Sequence, residues 1–176
     1  LWLNNRSGPT ANKKFRQALM FAIDRNMAKD VVWNGLGKVA TGPSGSAIKY
    51  YTSAVPKYDY DPAKAKALLK EAGYKGEKVR MLPLPYGETW QRWAEMVRQN
   101  LQDVGINVEM QIVEHATFHE NIRKNLNPFV LYGGTRITDE DPWLTLFFHS
   151  SEIPDPATGN KGTNFAHYRA IDDLLA

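Results

Sequence analysis

The chain contains no cysteine, which excludes disulfide bonds, thiolate metal ligands and cysteine nucleophiles. It also lacks any apolar run near the roughly 18 residues that a membrane-spanning helix needs. Short apolar runs, such as the one at 129–132, fit buried strands instead. The net charge is only +3 and the basic residues are scattered, so we do not expect nucleic-acid binding.

The composition that remains is that of an ordinary globular domain. The 176 residues are 43% hydrophobic and 23% charged, enough for one domain with a sizeable core. The chain begins at Leu1 without an initiator methionine and stops at Ala176 within an apolar pattern. We therefore expect a segment of a longer protein.

Hydrophobic spacing predicts alternating strands and helices through the centre of the chain. The predicted strands lie at 1–4, 79–84, 106–112 and 129–132. Six helices are predicted: one that begins after Asn12, one at 26–33, one from Pro62 to Gly73, one with an apolar stripe along 90–104, one that starts at Thr117 and one at 142–148. The order strand–helix–strand–helix–strand favours right-handed crossovers and a mainly parallel sheet. The predicted fold class is therefore α/β, with a sheet flanked by helices.

Catalytic and metal-binding patterns are weak in this sequence. Thr117 and Glu120 form a capping-box pattern, which predicts a helix that leaves His115 outside it. The histidines show no HExxH-like spacing, and neither a GxSxG elbow nor a phosphate-binding glycine loop is present. We predict surface histidines, no metal site and no enzyme, with a hydrolase using the acidic stretch 139–141 as the less favoured alternative.

A pure interaction module is a further alternative, because tryptophan and tyrosine are common at interfaces. Trp90 and Trp93, however, fall on the apolar face of the predicted helix along 90–104. We expect both rings in a core.

Ligands of open α/β sheets bind beyond the carboxyl ends of the strands. That rule selects the loops at 85–87, 114–115 and 133–143. In the third loop, glycines allow close approach to the backbone, Arg136 suits an anion and Trp143 offers an apolar face. Asp141 is predicted to cap the helix that follows, whereas Asp139 is open between a cap and a ligand contact.

Several segments resemble the family 5 extracellular solute-binding proteins, which include dipeptide-, oligopeptide- and nickel-binding proteins. The matching segments, in family order, are FRQALMFAIDR at 15–25, GLGKVATGP at 35–43, YDPAKAKALLKEAGY at 60–74, VGINV at 104–108, DP at 141–142 and NFAHY at 164–168. The segment at 60–74 is the most specific of them.

The resemblance implies a periplasmic-binding-protein type II-like lobe. Residues 1–176 would be a single domain that forms most of the C-terminal lobe of a two-lobed protein, with the other lobe and the last helices absent. The implied function is that of the substrate-binding component of an ABC importer. It would capture peptide or peptide-like solutes by lobe closure and dock on a membrane permease. The implied location is periplasmic, or extracytoplasmic and membrane-anchored, and no cofactor is implied.

The implied ligand-binding residues come from two of the three loops. They are Tyr86, Gly134, Thr135, Arg136, Asp139 and Trp143. Peptide-binding members hold the ligand's amino terminus with an aspartate before the DP pair; Asp139 is the nearest candidate, although a gap-free match places Thr138 there. Arg136 stands where some members carry an aromatic residue. A sugar, an opine or a metal chelate is therefore the alternative ligand within the same family.

Overall fold

The computed structural model describes residues 1–42, 45–47, 51–133 and 139–175. In chain order its helices and strands are β1 (Trp2–Leu3), α1 (Lys13–Ala22), α2 (Arg25–Met27), α3 (Pro62–Glu71), β2 (Val79–Leu82), α4 (Gly87–Asp103), β3 (Val108–Met110), α5 (His115–Arg123), β4 (Phe129–Val130) and α6 (Glu140–Phe148). Short 3₁₀ turns cover Pro9–Ala11, Ser150–Glu152 and Asp172–Leu174. None of the helices described is both long and apolar enough to cross a membrane.

Four strands of the described chain form one sheet in the order β1-β4-β2-β3. The central strand β2 runs parallel to both β3 and β4, with Met81 opposite Met110 on one side and Phe129 on the other. The edge strand β1 runs antiparallel to β4, with Trp2 opposite Val130. The prediction of a mainly parallel sheet is confirmed, and the antiparallel edge is an addition that the sequence pattern did not specify.

Both faces of the central part of the sheet are covered, which explains why most of its strand residues are apolar; Arg80 and Glu109 are the exposed exceptions. On one face, Met81 and Phe129 are fully buried in the core that also contains residues of α1, α3 and α4. On the other face, Leu82 and Val130 pack in a second cluster with Phe118 of α5. The alternation of side chains along β2 and β4 thus places the sheet between two helical layers.

Local capping fixes α1 and α3 as the sequence predicts. The Asn12 side chain accepts a hydrogen bond from the Lys14 N–H at 2.9 Å, and the Asp61 side chain accepts one from the Lys64 N–H at 2.9 Å. Each carboxamide or carboxylate satisfies a backbone donor that the first helical turn leaves without a partner. Gly73 follows α3 with φ +70°, the left-handed conformation that ends helices.

The predicted start of α5 at Thr117 is wrong. The helix begins at His115, and the Phe118 N–H already donates to the Glu114 carbonyl at 2.8 Å. Phe118 and Ile122 are buried one turn apart in the second cluster. Their packing stabilises a helix that begins about half a turn before the start predicted from the capping-box pattern. As a result His115 lies inside the helix.

Two further boundaries differ from the predictions. The helix α6 has Asp139, not Asp141, in the N-cap position, and Asp141 lies in the first turn instead. The predicted helix over 26–33 is a short α-helix followed by a π-helical turn, Ala28–Val32.

Candidate functional site

The carboxyl ends of the three parallel strands open into the three loops that the sequence selects. Tyr86 follows β2, His115 follows β3 as the first residue of α5, and Tyr132 follows β4. Because parallel strands end at the same edge of a sheet, these three residues lie at one edge. The side chains at this edge form the surface that we call the aromatic wall: Tyr86, His115, His119 and Tyr132.

The first two loops are joined by a direct contact. The Tyr86 ring stacks on the His115 ring with centroids 5.2 Å apart and an angle of 12° between the planes. The Tyr86 hydroxyl also lies 2.9 Å from Nε2 of His115. Since Tyr86 is 54% exposed, the stacked pair presents a flat face to solvent.

The wall continues through α5 to the third loop. The Nε2 atoms of His115 and His119 are 3.3 Å apart, and the His119 ring meets the Tyr132 ring edge-on at 6.2 Å. Tyr132 in turn stacks parallel to the buried Phe118 ring at 6.2 Å. Packing on Phe118 therefore anchors the wall to the second core cluster.

Burial and neighbouring charges keep two members of the wall neutral. Desolvation, with the nearby His115 and Arg123, lowers the pKa of the His119 imidazole below its usual value. Desolvation and the proximity of Tyr86 raise the pKa of the Tyr132 phenol. The wall thus presents hydrogen-bonding groups without a fixed charge at His119 or Tyr132 near neutral pH.

A cavity of about 540 Å³ adjoins the third loop. Its lining includes Tyr132, Trp143, Phe148 and Tyr168. Trp143 is half-buried and packs on Phe147 with centroids 4.5 Å apart. A mainly apolar cavity of this size, with several aromatic rings in its lining, suits an apolar part of a small ligand.

Asp139 has the exposure that a ligand contact requires. It occupies the N-cap position of α6, but its side chain makes no capping hydrogen bond there. The carboxylate is exposed to solvent at the same end of α6 that carries Trp143. Of the other residues assigned from the sequence, Gly134, Thr135 and Arg136 lie outside the described residues.

Packing against Trp90 explains why a glycine, Gly133, follows β4. A Cβ atom at Gly133 would lie 2.7 Å from Cη2 of Trp90. The group that approaches the backbone closely at this glycine is therefore the Trp90 ring. Trp90, Trp93 and Trp33 pack edge to face, with centroids between 5.4 and 6.3 Å apart. The expectation that Trp90 and Trp93 lie in a core is only partly right, because both rings are half-buried.

Sequence reasoning missed the histidine pair of the wall. The spacing of His115 and His119 is that of one helical turn, and this signal was visible in the sequence. The capping-box pattern at Thr117 argued against it, because it placed His115 outside the helix. Tyr132 lacked a distinguishing sequence signal, since it reads as the last residue of a buried strand.

Comparison with known proteins gives relatives over almost the whole chain. The model of the bacterial extracellular solute-binding proteins, family 5 middle region, matches residues 1–155. The dipeptide-binding protein of Escherichia coli is 28% identical over 180 residues, which cover 98% of this chain and 32% of that protein. The glutathione-binding protein GsiB of Escherichia coli is 32% identical over 181 residues, which cover 99% of this chain and 35% of that protein.

The solved structures agree with these relatives. The structure of HbpA2 from Haemophilus parasuis superposes with a TM-score of 0.89 at 31% identity, covering 99% of this chain and 34% of that one. The predicted α/β fold of the type II periplasmic-binding-protein kind is confirmed. The chain spans about a third of the length of the curated relatives named above. The family resemblance drawn from the sequence is likewise confirmed: this chain belongs to family 5 of the bacterial extracellular solute-binding proteins.

Proposed function

We propose that the protein containing this chain captures peptides or peptide-like solutes outside the cytoplasmic membrane for an ABC importer. One observation carries the proposal: side chains that follow β2, β3 and β4 at the carboxyl edge of the sheet form an aromatic wall beside a cavity of about 540 Å³. The two curated relatives are named for a dipeptide and for glutathione, which is itself a small peptide.

Each group at this edge has a role in holding a peptide. The exposed Asp139 carboxylate pairs with the ligand's ammonium group, as charge-assisted hydrogen bonds are the strong ones. The Tyr86–His115 stack offers a flat face to a peptide plane, and the cavity beside Trp143 takes an apolar side chain. The sequence assigns Gly134, Thr135 and Arg136 to the same contact surface.

The two-lobe arrangement is part of the proposal. Residues 1–176 form a single domain, most of the C-terminal lobe, and a second lobe closes over the solute from the other side. Ligand favours the closed state because only there does it touch both lobes. The closed protein then docks on a permease in the membrane, and the protein is periplasmic or anchored outside the membrane.

We further propose that the protein is a carrier and not an enzyme. Proteins of its family bind solutes. A bound solute should therefore be released chemically unchanged.

Native mass spectrometry of the full-length parent protein, purified gently from its host, tests both points. We expect a small peptide to travel with the protein and to be recovered intact after denaturation. The Asp139→Asn variant should lose most of this peptide, whereas Asp173→Asn, at an exposed position in the C-terminal 3₁₀ turn, should retain it. A co-purified sugar or opine would contradict the proposed peptide ligand. Turnover of peptide substrates without stable binding would contradict the carrier function.

A further inference from the structure

The strand β3 forms an open edge of the sheet. Among the residues that the structure describes, β3 has a neighbouring strand, β2, on one side only. The Gln111 N–H donates to the Met81 carbonyl at 2.9 Å, so the odd-numbered positions along β3 face β2. Because backbone groups alternate along a parallel ladder, the N–H and C=O groups of Val108 and Met110 face away from the sheet. They are free to pair with another strand.

The devices that usually protect an edge strand are missing at β3. Natural edges are blocked by proline, by lysine or by a bulge. The sequence at 108–112 is VEMQI, which contains neither proline nor lysine. Its one charge, on Glu109, lies 3.6 Å from Nζ of Lys78 in an ion pair beside β2. Nothing in the strand itself therefore opposes pairing with a second chain.

An apolar groove runs along the same edge. Its apolar lining consists of Met27, Met96, Met110 and Ile112. The side chain of Ile112 is 63% exposed and that of Met27 is 47% exposed. Three of the five methionines of the chain lie in this groove, and methionine adapts its shape readily to a partner surface. The open edge and the groove therefore form one continuous surface.

We propose that β3 pairs antiparallel with β3 of a second copy of this protein, across a two-fold axis at Met110. Dimers with this symmetry need a surface that is complementary to itself. In this register Met110 lies opposite its own copy and Val108 lies opposite Ile112 of the second copy, so these pairs are all apolar. On the other face Glu109 lies opposite the neutral Gln111 of the second copy, so like charges do not oppose each other.

The charges of α4 are complementary under the same symmetry. A two-fold axis perpendicular to the sheet places α4 of each copy on the same face, antiparallel to the other. Arg92 lies in the second turn of α4 and Asp103 is its last residue, and both line the groove. Each Arg92 therefore approaches Asp103 of the second copy. Within its own chain Arg92 has an exposed ion pair with Glu88, which contributes little, while Glu95 is already paired with Arg98.

One axis serves both the strands and the helices. Met96 lies between Arg92 and Asp103 along α4, and it lines the same groove as Met110, where the strand register is centred. An unrelated extended segment would satisfy the edge but not the reversed charges of α4, so the second copy is the occupant that fits both. Because the two β3 strands are antiparallel, the carboxyl edges of the two sheets face opposite ways. The dimer does not depend on which solute is bound.

Sedimentation equilibrium of the full-length parent protein tests the dimer. We expect a reversible monomer–dimer equilibrium. Ile112→Lys should weaken association by about tenfold or more, because it places a lysine at the paired edge and opposes two like charges across the axis. The matched control is Leu126→Lys, since Leu126 is also exposed but lies outside the groove. It should associate as the parent does, and circular dichroism verifies that both variants are folded.

A charge exchange on α4 tests the orientation of the two copies. Arg92→Asp and Asp103→Arg should each weaken association by about threefold to tenfold, because each variant opposes like charges across the axis. The double variant Arg92→Asp/Asp103→Arg restores opposite charges and should recover most of the loss. A double variant as weak as the sum of the two single variants would contradict the antiparallel arrangement.

An engineered disulfide tests the register, because the chain has no cysteine of its own. Cα atoms of a hydrogen-bonded antiparallel pair are about 5.5 Å apart, within the span of about 4.4–6.8 Å that a disulfide bridges. Met110→Cys should form a covalent dimer on mild oxidation, with the link at position 110 identified by mass spectrometry, whereas Leu126→Cys should not. A parent protein that stays monomeric at every concentration, or a dimer that Ile112→Lys leaves equally strong, would overturn the proposal.

Discussion

The phenol oxygen of Tyr86 lies 2.9 Å from Nε2 of His115, and the two rings stack with only 12° between their planes. This contact joins the loop after β2 to the helix after β3, which are distant in sequence. It fixes the orientation of a ring that is more than half exposed. In the proposed function, this orientation determines the face that the ring offers to the solute.

Replacing Tyr86 should weaken solute binding. Tyr86→Ala removes the exposed face and the partner of His115, and we expect a loss of about 1–1.5 kcal/mol, close to tenfold in affinity. Tyr86→Phe keeps the stack and loses only the hydroxyl, so its effect should be smaller. Calorimetric titration with the co-purified solute measures both.

The control for this comparison is Tyr60→Ala, since Tyr60 is also exposed but precedes α3. Equal losses in Tyr60→Ala and Tyr86→Ala would show that the wall is not the contact surface.

A side chain at Gly133 should destabilise the fold. In Gly133→Ala the new methyl group meets Trp90 at 2.7 Å, and we expect a decrease of about 1–3 kcal/mol in the free energy of unfolding. Urea denaturation followed by tryptophan fluorescence measures the change. Gly42→Ala is the matched control, because a Cβ there meets nothing within 4 Å and the φ angle is not positive.

A double variant identifies the cause. Trp90→Leu in the Gly133→Ala background should recover part of the lost stability by opening space. If the two substitutions were additive, the close contact with Trp90 would not explain the effect.

The buried Asn164 should be essential for the C-terminal segment. It is fully buried, and its carboxamide donates to the carbonyls of His149 and Tyr168 and accepts from the Tyr168 N–H, at 2.8 to 3.0 Å. Asn164→Ala leaves these backbone groups without partners and should cost about 2–4 kcal/mol. The exposed Asn26→Ala serves as control in the same denaturation experiment and should change stability little.

The network around Asn164 gives a physical reason for one family segment. The asparagine and the tyrosine of NFAHY at 164–168 resemble the family pattern, and the structure shows the Asn164 side chain hydrogen-bonded to the backbone of Tyr168. Their role here is to hold the chain after α6 against the second core cluster.

Stability should fall on mild acidification because of His167. Its ring is buried, and desolvation together with Arg6 and Arg169 lowers its pKa in the folded state. The unfolded chain then binds the proton more readily, with a pKa near its usual value of about 6.5. The folded state therefore loses stability as pH falls through about 6.5 towards the lowered pKa, and no penalty remains above that window.

Substitution at His167 checks this dependence. His167 has a φ of +55°, so asparagine, which tolerates the left-handed region, is the suitable replacement. Thermal denaturation between pH 5 and 7.5 should show a smaller pH dependence for His167→Asn than for the parent. An unchanged slope in His167→Asn would contradict the assignment.

The sequence was sufficient for elements whose signals are local. Asp61 and Pro62 start α3 and Gly73 ends it, because caps and left-handed glycines act within a few residues. The parallel order of β2, β3 and β4 followed from helices of the right length between the strands. The loops of the site followed from the same topology.

The remainder depended on contacts between distant residues. The start of α5 was decided by the burial of Phe118 and Ile122, which outweighs the Thr117 capping pattern. That one error hid the histidine pair. The antiparallel position of β1 depends on its pairing with β4, and no local pattern of two residues encodes such a register.

The pairing of Trp2 with Val130 also has a consequence for biosynthesis. A ribosome adds about 5–20 residues per second, so β4 is synthesised on the order of ten seconds after β1, its pairing partner. During this interval its apolar side chains and backbone groups stay available to other chains. Nascent copies of this domain should therefore depend on chaperones until β4 has emerged, and crowded translation should favour intermolecular pairing at this edge.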